Sequence, residues 1–147
     1  MRRIFPPFWL LLSLLLMTAL HFCVPIQTIV PAPFHLVGAG LVVLGVLLVL
    51  WPARLFAKSK TTIKPFHESS TLVTSGPYRF SRNPIYGGMA LALWGCAVLF
   101  GTLAPMLVVP LFVLLIDRVF IVGEERMLQA AFADDYTEYC RRVQRWI

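Results

Sequence analysis

No Lys, Arg, Asp or Glu occurs in residues 4–53, and none occurs in residues 83–116. A helix needs ~20 apolar residues to cross the ~30 Å hydrocarbon core of a bilayer, so these two gaps hold about four crossings. A soluble domain has no surface on which to leave such runs. Composition agrees: 59% of the chain is hydrophobic and 14% charged, against ~45–50% apolar and ~25% charged in ordinary soluble domains. The expected fold is an all-α integral membrane protein of about four transmembrane helices, with a cytoplasmic loop and a C-terminal cytoplasmic helical segment.

The net charge of +6 comes from 13 Lys and Arg confined to Arg2–Arg3, Arg54–Arg82 and Arg118–Arg145. With four crossings, all three blocks fall on one side and the two opposite turns carry none. The positive-inside rule then puts both termini and the middle loop in the cytoplasm; a bacterial inner membrane is the expected location. A nucleic-acid module would spread its cations over a soluble face, so no nucleic-acid partner is expected. Cys23, Cys96 and Cys140 lack C-x-x-C spacing, and His21, His35 and His67 lack ligand-like spacing, so neither disulfide nor metal is expected. Arg2–Arg3 before an apolar run resembles a secretory signal, but no A-x-A-like site precedes Cys23, and the segment reads as the first anchor.

One membrane-embedded domain is expected over residues 1–147, with spans at about 8–24, 34–51, 84–101 and 105–123. The cytoplasmic loop is 52–83 and the tail 124–147. Pro52 is expected to stop the second span, and Gly38, Gly40 and Gly45 to let another backbone approach it. In the loop, Thr71–Thr74 reads as a short extended piece and Ser75-Gly76-Pro77 as a turn. Asn83 is a candidate N-cap with Pro84 at the first helical position. Gly88, Ala92 and Cys96 form a small-residue stripe on the third span, and Pro110 is expected to kink the fourth. Asp134 is expected to cap a last helix carrying Tyr136, Tyr139 and Val143 on one face.

The reactive residues collect at the cytoplasmic face. The third helix starts there, so its free N–H groups suit an anion, with Arg82, Asn83 and Tyr86 at its mouth. Taken singly, these residues have bland readings: a cap, a snorkelling arginine, an interfacial tyrosine. Asp117 and Arg118 lie inside the fourth span, where charge is costly. At a spacing of seven, Asp117 shares a face with Glu124 and Arg118 with Glu125. The bland reading has Arg118 snorkelling and paired with Glu125 or a loop carboxylate. Glu124-Glu125 at a membrane exit opposes the usual preference for cations, and the pair could hold a cationic or hydroxyl-bearing ligand.

Three blocks and the tail carry a resemblance: Leu72-Val73-Thr74-Ser75-Gly76-Pro77-Tyr78, Arg82-Asn83-Pro84-Ile85-Tyr86, Glu124-Glu125 with Leu128, and Phe132 to Val143. In this order they resemble the isoprenylcysteine carboxyl methyltransferase family, part of a wider group of membrane methyltransferases that includes phospholipid N-methyltransferases. The resemblance covers roughly the second half of the chain. It implies an S-adenosylmethionine-dependent methyltransferase with the donor bound at the cytoplasmic face. The implied cofactor contacts are Ser70, Thr71, Leu72, Val73, Tyr78, Asn83, Pro84, Ile85, Tyr86 and Glu124. Two positions depart from the eukaryotic pattern: Asn83 stands where histidine is usual, and Ile121 where an arginine meets the substrate carboxylate. Arg118 is the candidate substitute.

The residue chemistry suits that donor. A helix N-terminus with Arg82 suits its carboxylate, Glu124 its ammonium or ribose, and tyrosines its adenine or sulfonium. A carboxylate acceptor needs orientation, by Arg118 or Arg82; an amine acceptor needs a base, and Glu125 or Asp117 is the candidate. The expected partners are a lipophilic small molecule or lipid as acceptor, and membrane lipids. Two alternatives stand beside this reading. A sterol-reductase-type enzyme lacks a Gly-x-Gly-x-x-Gly loop in this chain. A four-helix transporter or accessory protein would be expected to bury a carboxylate near the middle of a span.

Overall fold

The computed structural model describes residues 5–24, 27–59 and 72–146. Four apolar helices run up and down: α1 (Pro6–Cys23), α2 (Val37–Ser59), α3 (Pro84–Phe100) and α4 (Leu103–Ile116). α4 passes through a π-helical turn, Asp117–Ile121, into α5 (Val122–Arg142) without a break. Among the described residues, three helices are long and apolar enough to cross a membrane: Pro6–Cys23, Phe34–Leu55 and Leu103–Arg142. α3 is apolar but has only 17 residues, at the short end of the ~17–25 that span a bilayer. Of the helix Leu103–Arg142, the part up to Gly123 is the apolar crossing, and Glu124 begins a charged half. Leu15, Leu47 and Leu111 each leave more than half their surface exposed, which suits contact with lipid rather than water. The chain is a multi-pass membrane protein.

The core joins α1, α3 and α4 through Met17, Leu93, Phe112 and Ile116, and continues into the π turn through Phe120 and Ile121. α2 stands outside that core and packs on α3 by backbone approach. A Cβ on Gly45 would stand 2.5 Å from the Ala92 nitrogen and 2.7 Å from the Gly88 carbonyl oxygen. Gly38 meets Gly95 in the same way, whereas Gly40 faces open space. Gly38, Gly45 and Pro52 are buried at a regular spacing of seven along α2. Pro52 thus lies on the packing seam inside the helix, which runs on to Ser59. The expected stop at Pro52 fails because membrane helices tolerate proline where neighbours enclose the freed backbone groups.

At the uncharged end, the two turns tie to each other: Thr28 and Thr102 form an antiparallel bridge, and the Ile29 N–H donates to the Gly101 carbonyl at 2.8 Å. At the charged end, the short 3-10 turn Gly76–Arg79 rests against the end of α2, close to Trp51 and Leu55. Residues 72–74 form no strand; Thr71 lies outside the described residues. Asn83 precedes α3 but makes no side-chain cap. α5 is two helical segments joined by a bend at Ala133 (φ 38°), whose carbonyl accepts from Gln129 and Thr137, so a last helical segment starts at Asp134 as expected. Beyond the bend Tyr136, Tyr139 and Val143 are buried together, with Leu72, Leu128 and Phe132 packed on them.

Candidate functional site

The charged end of the bundle gathers two joined clusters. The first is Glu124 with Tyr86 and Tyr78. Tyr86 lies one turn into α3, and its hydroxyl donates to Glu124 Oε1 at 2.7 Å. Glu124 forms no ion pair among the described residues, although it is half-buried. Burial pushes its carboxyl up to about 7, and the Tyr86 hydrogen bond pulls the other way. Tyr78 sits in the same field: burial raises its hydroxyl first, and Tyr139 and Glu124 add to it. A carboxylate removed from water with a phenol as its partner is short of positive charge.

The second cluster is built on Arg145. Its guanidinium grips both Glu125 oxygens, Nε to Oε1 at 3.1 Å and Nη2 to Oε2, and reaches Asp117 Oδ1 at 3.4 Å. Arg82 Nη1 donates to the same Glu125 Oε1 at 2.9 Å and to Cys140 Sγ at 3.0 Å. The Asn83 amide donates to the Arg145 carbonyl at 3.0 Å, and the Arg82 N–H donates to the Gln144 carbonyl at 2.9 Å. The segment after α5 therefore crosses the mouth of α3 like a strap. Within this network the Arg82 Nε is buried and has no hydrogen-bond partner among the described residues.

The π turn sets which acidic residues meet. In an unbroken α-helix Asp117 and Glu124, seven apart, share a face. A π turn takes up one extra residue, which moves the shared face to a spacing of eight. Asp117 then lines up with Glu125, and both reach Arg145. Glu124 is turned away to Tyr86. Arg118 leaves the cluster: its side chain is 80% exposed and its Nε lies 4.0 Å from Asp117 Oδ2. It makes no contact with Glu125 among the described residues.

Of the residues expected to bind the donor, Tyr78, Asn83, Pro84, Ile85, Tyr86 and Glu124 share this end of the bundle. Leu72 packs with Tyr136 and Tyr139 on the back of the site, and Val73 is half-buried beside it in the chain. Ser70 and Thr71 lie outside the described residues. Asn83 joins the site through Arg145 and not as a cap. Arg145 itself was invisible in the sequence, where it counts only as one more cation of a basic tail.

Residues 33–135 match the phospholipid methyltransferase family (PEMT). The chain belongs to that family. The matched stretch holds Tyr78, Tyr86, Glu124 and Glu125 and ends before Arg145. Over 76 residues the chain is 37% identical to the cobalt-zinc-cadmium resistance protein CzcN of Cupriavidus metallidurans, covering 52% of this chain and 35% of that protein. Its fold is similar to that of the eukaryotic intramembrane Ras methyltransferase ICMT (isoprenylcysteine carboxyl methyltransferase), with a TM-score of 0.68 at 22% identity. That match covers 96% of this chain and 51% of the other. This phospholipid methyltransferase family member thus spans about a third of the length of one relative and half that of the other.

Proposed function

We propose that the chain is an integral-membrane methyltransferase that uses S-adenosylmethionine and acts on a lipophilic acceptor whose head group is a carboxylate or an amine. The observation that carries this reading is Glu124, half-buried, hydrogen-bonded by Tyr86 and without a cation among the described residues. A second supports it: the buried Arg82 Nε has no acceptor among the described residues. The donor bears an ammonium and a sulfonium as well as a carboxylate, so the two deficits fit its charges. When bound, S-adenosylmethionine supplies an electrophilic methyl carbon on a positively charged sulfur.

The chain's own residues bind, orient and exclude water. Glu124 holds positive charge, with Tyr86 fixing its carboxylate and the tyrosine faces of Tyr78 and Tyr86 available to a cation or an adenine. Arg82 orients an acidic group at the start of α3, where the helix dipole adds to its charge. Asn83, Pro84 and Ile85 form the rim of that helix start, and Leu72 and Val73 the wall behind it. Arg145 and Glu125 act as positioning residues that hold Arg82. For a carboxylate acceptor, alignment and dehydration suffice. For an amine acceptor a base must take the proton, and Glu125 and Asp117 are the carboxylates within the network. Arg118, pointing outward, is proposed as an interfacial anchor in place of an acceptor ligand. Both termini and the 52–83 loop are proposed to face the cytoplasm of a bacterial inner membrane.

The test is calorimetry on detergent-purified protein with S-adenosylmethionine and S-adenosylhomocysteine, followed by incubation of membranes with methyl-labelled donor. Saturable heat and label in an extractable lipophilic product are expected. Absence of heat for both ligands would remove the reading.

A further inference from the structure

Beside the candidate site, and lined by none of its residues, lies a cleft of about 230 Å³ formed by Thr74, Arg79, Tyr139, Arg142 and Val143. Arg79 ends the 3-10 turn and Arg142 ends α5. The two guanidiniums thus come from segments far apart in the chain. Arg79 has no ion pair or hydrogen bond among the described residues. Arg142 leans on Glu138 at 3.4 Å, but both side chains are mostly exposed and Glu138 is shared with Arg141 at 3.9 Å. A pair of that kind is worth little in water. The cleft therefore carries an excess of positive charge and the Thr74 hydroxyl. The Tyr139 hydroxyl is already donated to the Tyr78 carbonyl at 2.7 Å, so it is not left over for a ligand in the cleft.

The level of the cleft is marked by aromatic side chains. Phe80, next to Arg79, is 73% exposed, and Trp51, against the same turn, is 51% exposed. Exposed aromatic rings at the charged end of a membrane protein sit at the headgroup layer. Phosphates of the bilayer lie at that depth, and guanidiniums bind phosphate oxygens through paired N–H donors. We propose that this cleft binds the phosphate headgroup of an anionic membrane lipid, with the acyl chains left in the bilayer. The proposal stands apart from methyl transfer and does not depend on it.

The probes are phosphatidylglycerol, phosphatidylcholine and inorganic phosphate, titrated into the detergent-solubilised full chain and followed by native mass spectrometry. Phosphatidylglycerol is expected to bind in preference to the other two. Arg79→Gln and Arg142→Gln should each weaken it about fivefold, as for one cation removed from an anionic lipid surface. Arg141→Gln removes the same charge from the neighbouring position outside the cleft and should leave the affinity unchanged. Lipid-free thermal unfolding and donor calorimetry should not move in any of the three variants, which keeps this result distinct from the donor site. A loss in Arg141→Gln equal to that in Arg142→Gln would overturn the proposal in favour of diffuse attraction. Equal binding of phosphatidylcholine, or of inorganic phosphate, would overturn the assignment to an anionic lipid.

Discussion

In the proposed reading, the chemistry of the site concentrates at Glu124. A carboxyl whose value is raised to about 7 by burial contributes stability below the ordinary carboxyl range, and that contribution is lost as pH rises through 7. In the donor-free protein the melting temperature is therefore expected to fall between about pH 5 and 8 on account of this group. Glu124→Gln should flatten that fall while reducing donor affinity about tenfold or more, since it removes the charge and keeps an acceptor for Tyr86. Melting scans across pH, run beside calorimetry, check both halves. Normal donor binding by this variant would take the site away from Glu124.

Arg145 is the other residue on which the site turns. Removing one partner of a buried ion pair costs ~3–5 kcal/mol. Arg145 keeps 38% of its side chain exposed, so about 1–3 kcal/mol is expected of Arg145→Ala once solvent screening is allowed for. Arg145→Lys should recover only part, because an ammonium cannot fork across both Glu125 oxygens. Chemical denaturation gives the stability loss. A shift in donor affinity with Lys, at intact fold, would separate positioning from mere support. The residues that bear charge or a ring were legible in the sequence because membrane-exit carboxylates and helix-start motifs are unusual. Their partners were not: Arg145 meets Asn83 across 62 residues of chain, and no local pattern records such a meeting.

At the scale of elements, the π turn and the α2–α3 seam decide the geometry. Deleting Val119 should remove the extra residue of the π turn and leave Asp117 and Glu125 seven apart, the α-helical spacing at which they still share a face toward Arg145. Insertion into membranes and donor binding should both persist, and a fractionation assay beside calorimetry reads the two. The seam makes a sharper contrast. Gly45→Ala forces backbones apart and should cost about 1–3 kcal/mol, whereas Gly40→Ala, with nothing within 4 Å, should be close to neutral. Unfolding in mixed micelles compares them. The stripe of small residues on α3 was readable only in part: Gly88 and Ala92 meet α2, but the next contact is Gly95, and Cys96 packs on the core. Which glycines of α2 faced it was not, because Gly38, Gly40 and Gly45 are alike until a partner helix selects a seam. Pro52 reads as a stop by propensity and becomes a seam residue because packing overrides propensity.

For the whole molecule, the decisive expectation is topological. Reporters fused after Ser59 and at the C-terminus should report the same side of the membrane, and a reporter inserted in the 27–33 turn the opposite one. Termini on opposite sides would break the four-crossing reading. The hydropathic gaps and the confinement of cations to three blocks determined, by themselves, that the chain crosses a membrane and which of its ends is charged. Those are properties of each segment against its solvent, and a linear sequence holds them complete. Tertiary structure alone decided that Glu125 belongs to Arg82 and Arg145 while Glu124 is left to Tyr86. That division depends on a one-residue phase shift in one helix and on a strap arriving from the far end of the chain. Contacts of that kind are set by where segments lie relative to each other, which no spacing along the chain encodes.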